Sequence, residues 1–225
     1  MAVEDDRLGR LGLVSPDRQI VRAPIQLKET IYDDESYVCP TWGQMGIFNF
    51  ELAKQIIQSG QSFDRLVALA KGGLTWSRDM LDALKIPKLS SMRVEKYKGA
   101  NKSGKARKVE PLKDAIDGEV ILLYDEVIDS GETIELVLPY LRAMGAKDIK
   151  TASLGYKPCS TVKPDFHAFT TEAWTVFPHE IRELVDEHFD KWREVGLSVK
   201  NVKERLVTIG IPSEQVDFYC SLRAA

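Results

Sequence analysis

Two short, unbroken apolar runs constrain this chain more than any other feature. "RLVALA" at 65–70 and "EVILLY" at 119–124 lack the alternation of a half-exposed strand, so each reads as a strand covered on both faces. Each is followed by small residues and then by helical spacing: "KGG" leads into "LTWSRDMLDAL" at 74–84, and "DEVIDSG" leads into "TIELVLPYLRAMGA" at 133–146. The second of these helices carries Pro139 as a bend and Gly145 as its stop. Upstream, "QMGIFNFELAKQIIQ" from Gln44 to Gln58 sets Ile47, Phe48, Leu52, Ile56 and Ile57 on one stripe, ended by Ser59-Gly60. "KLSSMRV" at 88–94 and "DIKTASLGY" at 148–156 add strands, and "DFHAF" and "WTVF" add two short ones. Strands alternating with helices define an α/β fold, an open, mostly parallel twisted sheet flanked by helices.

The rest of the chain is organised around that core. Residues 1–40 show no sustained period, carry "DDE" at 33–35 and read as an irregular arm with a short strand near Gln19 to Leu27. Residues 41–190 form the main domain, and residues 191–225 a helical extension with one helix stopped by Gly210 and a second capped by Ser213. Between the strands, "EKYKGANKSGKARKVEPLKD" from Glu95 is polar and lysine-rich and reads as a long mobile loop. The chain has 225 residues, enough for a sizeable core, and no apolar run long enough to span a bilayer. Its acidic start does not look like a signal peptide, so the sequence reads as cytoplasmic. Cys39, Cys159 and Cys220 form no CxxC and read as reduced thiols, and the histidines lack zinc spacing. A net charge of -3 argues against a surface built for nucleic acid, and the basic run from Arg93 to Lys108 reads first as a solvated loop.

The chemistry concentrates in "VILLYDEVIDSGET" at 120–133. Ligands of an open parallel sheet gather at the carboxyl ends of its strands, where Asp125 and Glu126 emerge. Carboxylates there accept hydrogen bonds from vicinal sugar hydroxyls or hold a hydrated magnesium ion. Ser130, Gly131, Glu132 and Thr133 then open a helix, where free N–H groups and hydroxyls cradle a phosphate. A sugar-hydroxyl site beside a phosphate site is a ribose phosphate site.

That register of apolar strand, acid pair and phosphate loop resembles the phosphoribosyl-pyrophosphate signature of type I phosphoribosyltransferases, and Asp129 followed by Ser-Gly is similar to the branch acting on 6-oxopurines. The resemblance spans about residues 40–185 and implies transfer of a 5-phosphoribosyl group from magnesium phosphoribosyl pyrophosphate to a purine base. It implies Asp129 as the group that takes the base proton, Asp125 and Glu126 on the ribose and the magnesium, directly or through water, and Ser130, Gly131, Glu132 and Thr133 on the 5-phosphate, with Glu132 turned to solvent. Lys71, Gly72 and Gly73 resemble the pyrophosphate loop, in which the peptide after the first of these residues is often cis. Tyr97 and Lys98 stand where the family has a flexible loop that closes over the pyrophosphate. Lys157 would donate to the exocyclic oxygen of the base, Trp174 would stack on it, and Glu180 would approach its far edge or a metal-bound water. The resemblance also implies a homodimer or tetramer. Two residues depart from the pattern: Glu126 where Asp is usual, and His179 in "FPHE" where an aromatic is usual. Two other readings stay open, a regulator on this fold that senses phosphoribosyl pyrophosphate or nucleotides, and a phosphoribosyltransferase for a non-purine base.

Overall fold

The structure, a computed structural model, describes residues 25–96 and 107–223. Tyr97, Lys98 and most of the N-terminal strand expected near Gln19 lie outside the described residues. In chain order the elements are β1 (Glu29–Tyr32), β2 (Glu35–Val38), α1 (Trp42–Gln58), β3 (Arg65–Ala70), α2 (Gly72–Ala83), β4 (Lys88–Lys96), β5 (Arg107–Glu110), β6 (Val120–Ile128) and α3 (Glu132–Ala143). They continue with β7 (Asp148–Tyr156), β8 (Phe166–Thr170), β9 (Trp174–Thr175), α4 (Ile181–Glu194), α5 (Val199–Ile209) and α6 (Ser213–Arg223).

The main sheet has the order β5-β4-β3-β6-β7-β8, parallel throughout except for β5 at the edge. Its central strands are buried along almost their whole length, as the apolar runs require. One face packs on α1 and α2 through Leu52, Ile56, Met80, Leu122 and Leu154. The other packs on α3 through Leu69, Ile121, Leu123, Val137 and Leu141. A chain of hydrogen bonds crosses the first layer: Tyr124 Oη donates to Asn49 Oδ1 (2.9 Å), and Asn49 Nδ2 donates to Asp79 Oδ2 (2.6 Å), which ties β6 to both helices.

A second, smaller assembly sits over the carboxyl end of this sheet. β1 and β2 form a hairpin whose two turn residues, Asp33 and Asp34, both have positive φ, and β9 adds to β2 in parallel. The irregular arm expected from "DDE" is therefore an ordered hairpin from Glu29 onward, because aspartate tolerates the left-handed conformation that a tight two-residue turn demands. Val176, Leu184, Val185, Phe189 and Trp192 then build a separate core with Val202, Leu206 and Cys220 from α5 and α6. Position 190, where the sequence sets the border of the helical extension, lies inside α4. The long loop also needs correcting at its end: Arg107–Glu110 pairs antiparallel with β4, an edge strand whose charged residues hide any apolar period.

At the amino end of the central strands, opposite that assembly, the buried Arg65 is held by Glu119 (Nε to Oε2, 2.7 Å; Nη2 to Oε1, 3.1 Å) and donates to Ser90 Oγ (2.6 Å). The guanidinium, with help from Lys88, holds the Glu119 carboxyl down at about 2. A depressed carboxyl contributes stability that is present above its unfolded value and lost as pH falls toward its folded one. Glu119→Gln removes the closer of the two acids beside Arg65, leaving Asp114 Oδ2 at 3.6 Å, and is expected to cost about 2 kcal/mol at neutral pH in urea unfolding. That gap should narrow as pH falls from about 4.5 toward 2.

Candidate active site

The site is built where β6 leaves the sheet. β6 runs four residues past the expected end at Tyr124, because its pairing with β7 continues to Ile128 opposite Tyr156. Asp125 and Glu126 are thus part of the strand and are not beyond it. Gly72 and Gly73, in the first turn of α2, press on this segment: a Cβ on Gly73 would lie 2.6 Å from the Tyr124 carbonyl oxygen, and one on Gly72 would lie 2.0 Å from Glu126 Oε1. Only residues without a side chain let the helix start so close to the strand. The Gly-Gly pair therefore has a packing reason as well as a place beside the acids. The cis peptide falls at Ala70–Lys71, one bond earlier than the expected position after Lys71.

The two acids do not share one orientation. Glu126 is only 5 % exposed; its carboxylate sits in the wall between Gly72 and His179. Asp125 is partly buried, and its Oδ1 accepts the Glu126 N–H at 2.8 Å. The sequence reading aimed both carboxylates into an open crevice; Glu126 lines a cavity but is nearly closed off from water. Burial first, and the Glu126 charge second, push the Asp125 carboxyl up to about 8. The same two causes push Glu180 up to about 7.

The cavity itself holds about 180 Å³ and is lined by Glu126, Val127, Asp129, Lys157, Trp174, Thr175, Phe177 and Glu180. Five of these are residues that the sequence singled out. Lys157 Nζ lies 3.1 Å from Asp129 Oδ1, joining the end of β7 to the loop after β6. Trp174 is 41 % exposed, and its ring is backed edge-on by the buried His188 at 5.4 Å. His188 in turn contacts Tyr37 Oη through Nε2 (3.0 Å) and the Leu184 carbonyl oxygen through Nδ1 (3.2 Å). These supports went unread in the sequence, since Tyr37 and His188 are 151 residues apart.

Beside the cavity, α3 begins at Gly131 with φ of 84° and no side-chain cap, so its first N–H groups are not taken by a capping side chain. The turn is braced from behind: Thr161 donates to the Ser130 carbonyl oxygen through N (3.1 Å) and Oγ1 (3.2 Å). Glu132 is exposed, as expected, and Thr133 is half-buried. Lys71 caps α2 without a side-chain hydrogen bond and is exposed. Glu126, His179 and Glu180 each offer one donor atom within 4.8 Å of the others, the one such group among the described residues able to gather around a cation.

Two tests follow from this geometry. Asp125 and Glu180 hold protons in the folded state that the unfolded chain loses near pH 4, so stability should fall as pH rises from about 4 to 8. Asp125→Asn removes the largest such group, and is expected to raise the melting temperature of the ligand-free protein at about pH 9 while changing little near pH 4. Gly131→Ala forces a Cβ into a left-handed position 2.6 Å from Ser160 Oγ. It is expected to cost about 2 kcal/mol or more in urea unfolding.

Comparison with known proteins shows which family the chain resembles. The model of the phosphoribosyl transferase domain matches residues 43–184. A hypoxanthine-guanine phosphoribosyltransferase of Bacillus subtilis is 27% identical over 125 residues, 53% of this chain and 69% of that protein. One of Aquifex aeolicus is 33% identical over 106 residues, 45% of this chain and 59% of that protein. Among solved structures, the purine phosphoribosyltransferase of Pyrococcus horikoshii superposes with a TM-score of 0.57 at 31% identity, covering 63% of this chain and 92% of that one. With the strand-end acids, the uncapped α3 and the cavity in one place, and with the domain model spanning well over half of its residues, the chain belongs to the phosphoribosyl transferase domain family.

Proposed function

We propose that the protein transfers a 5-phosphoribosyl group from phosphoribosyl pyrophosphate to a 6-oxopurine, giving a nucleoside monophosphate and pyrophosphate. The observation that carries this reading is the Asp129–Lys157 pair, 3.1 Å apart on a cavity that Trp174 borders. A 6-oxopurine presents an acceptor oxygen at one edge and an acidic N–H on its imidazole ring. Lys157 donates to the oxygen, whereas an adenine amino group there would face donor with donor. Asp129 accepts the proton as the ring nitrogen attacks. Trp174 supplies a flat apolar face for the base, held in place by His188.

The phosphates fit the two helix starts. The first turn of α3, from Gly131 to Thr133, offers N–H groups to the 5-phosphate, and the start of α2 at Lys71, Gly72 and Gly73 offers the same to the pyrophosphate. At the anomeric carbon the bond to pyrophosphate oxygen breaks and the bond to purine nitrogen forms, the departing electron pair remaining on pyrophosphate near Lys71. Glu126 and Glu180 would hold a magnesium ion, with Asp125 reaching it through water, because they stand together at the strand end, Glu126 Oε2 is buried without a hydrogen-bond partner, and burial first and neighbouring negative charge second raise the Asp125 and Glu180 carboxyls. Such an ion would neutralise the pyrophosphate. Asp125 orients the ribose hydroxyls from the strand end, and Tyr97 and Lys98 remain candidates for closing the site. The second, smaller assembly and the sheet together enclose the base and limit the access of water to the sugar.

A panel of bases with phosphoribosyl pyrophosphate and magnesium, read by chromatography of the nucleotide products, tests this. Hypoxanthine, guanine or xanthine should give product, and adenine and pyrimidines little. Binding of phosphoribosyl pyrophosphate with no product from any 6-oxopurine would overturn the proposal and point to a sensor. Lys157→Met should lower kcat/KM for the base by about 100-fold, the loss of a charge-assisted hydrogen bond worth close to 3 kcal/mol.

A further inference from the structure

The two residues that depart from the family's sequence pattern, Glu126 and His179, are 53 positions apart in the chain and touch in the structure. Glu126 Oε2 lies 3.0 Å from His179 Nε2, at ion-pair distance but without the alignment of a hydrogen bond. The imidazole is itself held on three sides. It stacks on Phe177 (5.8 Å between ring centres, 23° between planes), it faces Trp42 at 6.0 Å, and Trp42 leans on Trp76 of α2 at 5.6 Å. On its other side the Glu126 carboxylate is pressed against Gly72, where an added Cβ would displace the Glu126 side chain. The carboxylate is therefore clamped between the start of α2, which is the proposed pyrophosphate loop, and the segment after β9 that closes the base cavity.

We infer that His179 is a positioning residue: it fixes the Glu126 carboxylate at the junction of the pyrophosphate loop and the base cavity, and the two side chains work as a unit. The physical reason is reach. A glutamate is one methylene longer than an aspartate, so its carboxylate reaches across from β6 to the segment after β9, where an all-carbon ring would leave a buried carboxylate facing apolar surface. An imidazole in that place sets a polar ring nitrogen 3.0 Å from the carboxylate while keeping a flat face for Phe177 and Trp42. His179 touches Glu126 and ring neighbours, so its effect on the reaction passes through the acid. The pair also makes the two halves of the site interdependent, since moving His179 with its segment moves the carboxylate that abuts Gly72.

The inference rests on the proposed function for its kinetic part, and the test separates the two. The full-length protein and the variants His179→Phe, His179→Gln, Glu126→Asp and the double variant Glu126→Asp/His179→Phe are compared in two ways. The first is steady-state kinetics with the best purine. His179→Phe should raise the KM for phosphoribosyl pyrophosphate about tenfold and leave the KM for the base within about twofold, a coupling in the range found for side chains in contact. His179→Gln, which keeps an N–H donor, should recover most of the loss. Shortening the acid in the phenylalanine background should also recover activity, so that the double variant outperforms His179→Phe. Equal damage from Phe and Gln, or strictly multiplicative effects in the double variant, would overturn the inference while leaving the enzyme reading intact.

The second measurement is a urea-unfolding cycle on the same proteins, which requires no turnover. Non-additive stabilities, with the double variant closer to wild type than the two single losses combined, support the pair; additive stabilities overturn it. Wild-type protein that makes no nucleotide from any purine would instead refute the proposed function, whatever the unfolding cycle gives.

Discussion

The close approach of α2 to the end of β6 is the constraint on which the site depends. A helix start and a strand end meet there with no room for a Cβ at Gly72 or Gly73, so backbone N–H groups and carboxylates are brought together in a space where either side chain or water would keep them apart. Bringing buried acids this close raises the Asp125 and Glu180 carboxyls and leaves one Glu126 oxygen unpaired by hydrogen bonds. The site thus crowds carboxyl groups together beside two helix starts that no side chain caps. Such a region is suited to a ligand that carries phosphates, hydroxyls and its own cations.

Around that contact the fold divides its work. The parallel sheet, buried on both faces, fixes the carboxyl ends of β3, β6 and β7, which carry Lys71, the acids and Lys157. The hairpin, β9 and the helices from Ile181 onward form a second core beside Trp174, while His179 is held by Phe177 and by Trp42 of α1. His188, buried and bridged to Tyr37, connects that second core to the ring of Trp174. Stability and recognition therefore meet at a few side chains, and substitutions in the second core should be felt at the base cavity.

Most of the main sheet was legible in the sequence because continuous apolar runs carry their own signal. The strand 148–156 and the helix stopped by Gly210 fall at the expected places. What was illegible depends on partners distant in the chain. The hairpin around Asp33-Asp34 looked like an acidic arm because its strands are too short to show a period and are completed by β9, about 140 residues away. β5 is visible only through β4, its charged sequence having no period of its own. The helix Ile181–Glu194 does carry apolar residues at helical spacing, and its high charge content masked a stripe that includes Leu184, Val185, His188 and Trp192. In the site, the strand-acid-loop register pointed to Asp125, Glu126 and the α3 turn, and the family resemblance to Asp129, Lys157 and Trp174; Glu126, Asp129, Lys157 and Trp174 line one cavity. Contact between Glu126 and His179 could not be read, because nothing local marks a pair formed between a strand end and a loop after another sheet.

The central claim is that one cavity takes the purine while the neighbouring helix start takes the phosphate. A crystal structure of the protein with inosine 5′-monophosphate tests it most directly. The account predicts the base against Trp174 with its oxygen facing Lys157, its imidazole edge toward Asp129, and the phosphate on the backbone of Ser130 to Thr133. Nucleotide bound in the opposite sense, or anywhere that leaves both Lys157 and the start of α3 untouched, would contradict it.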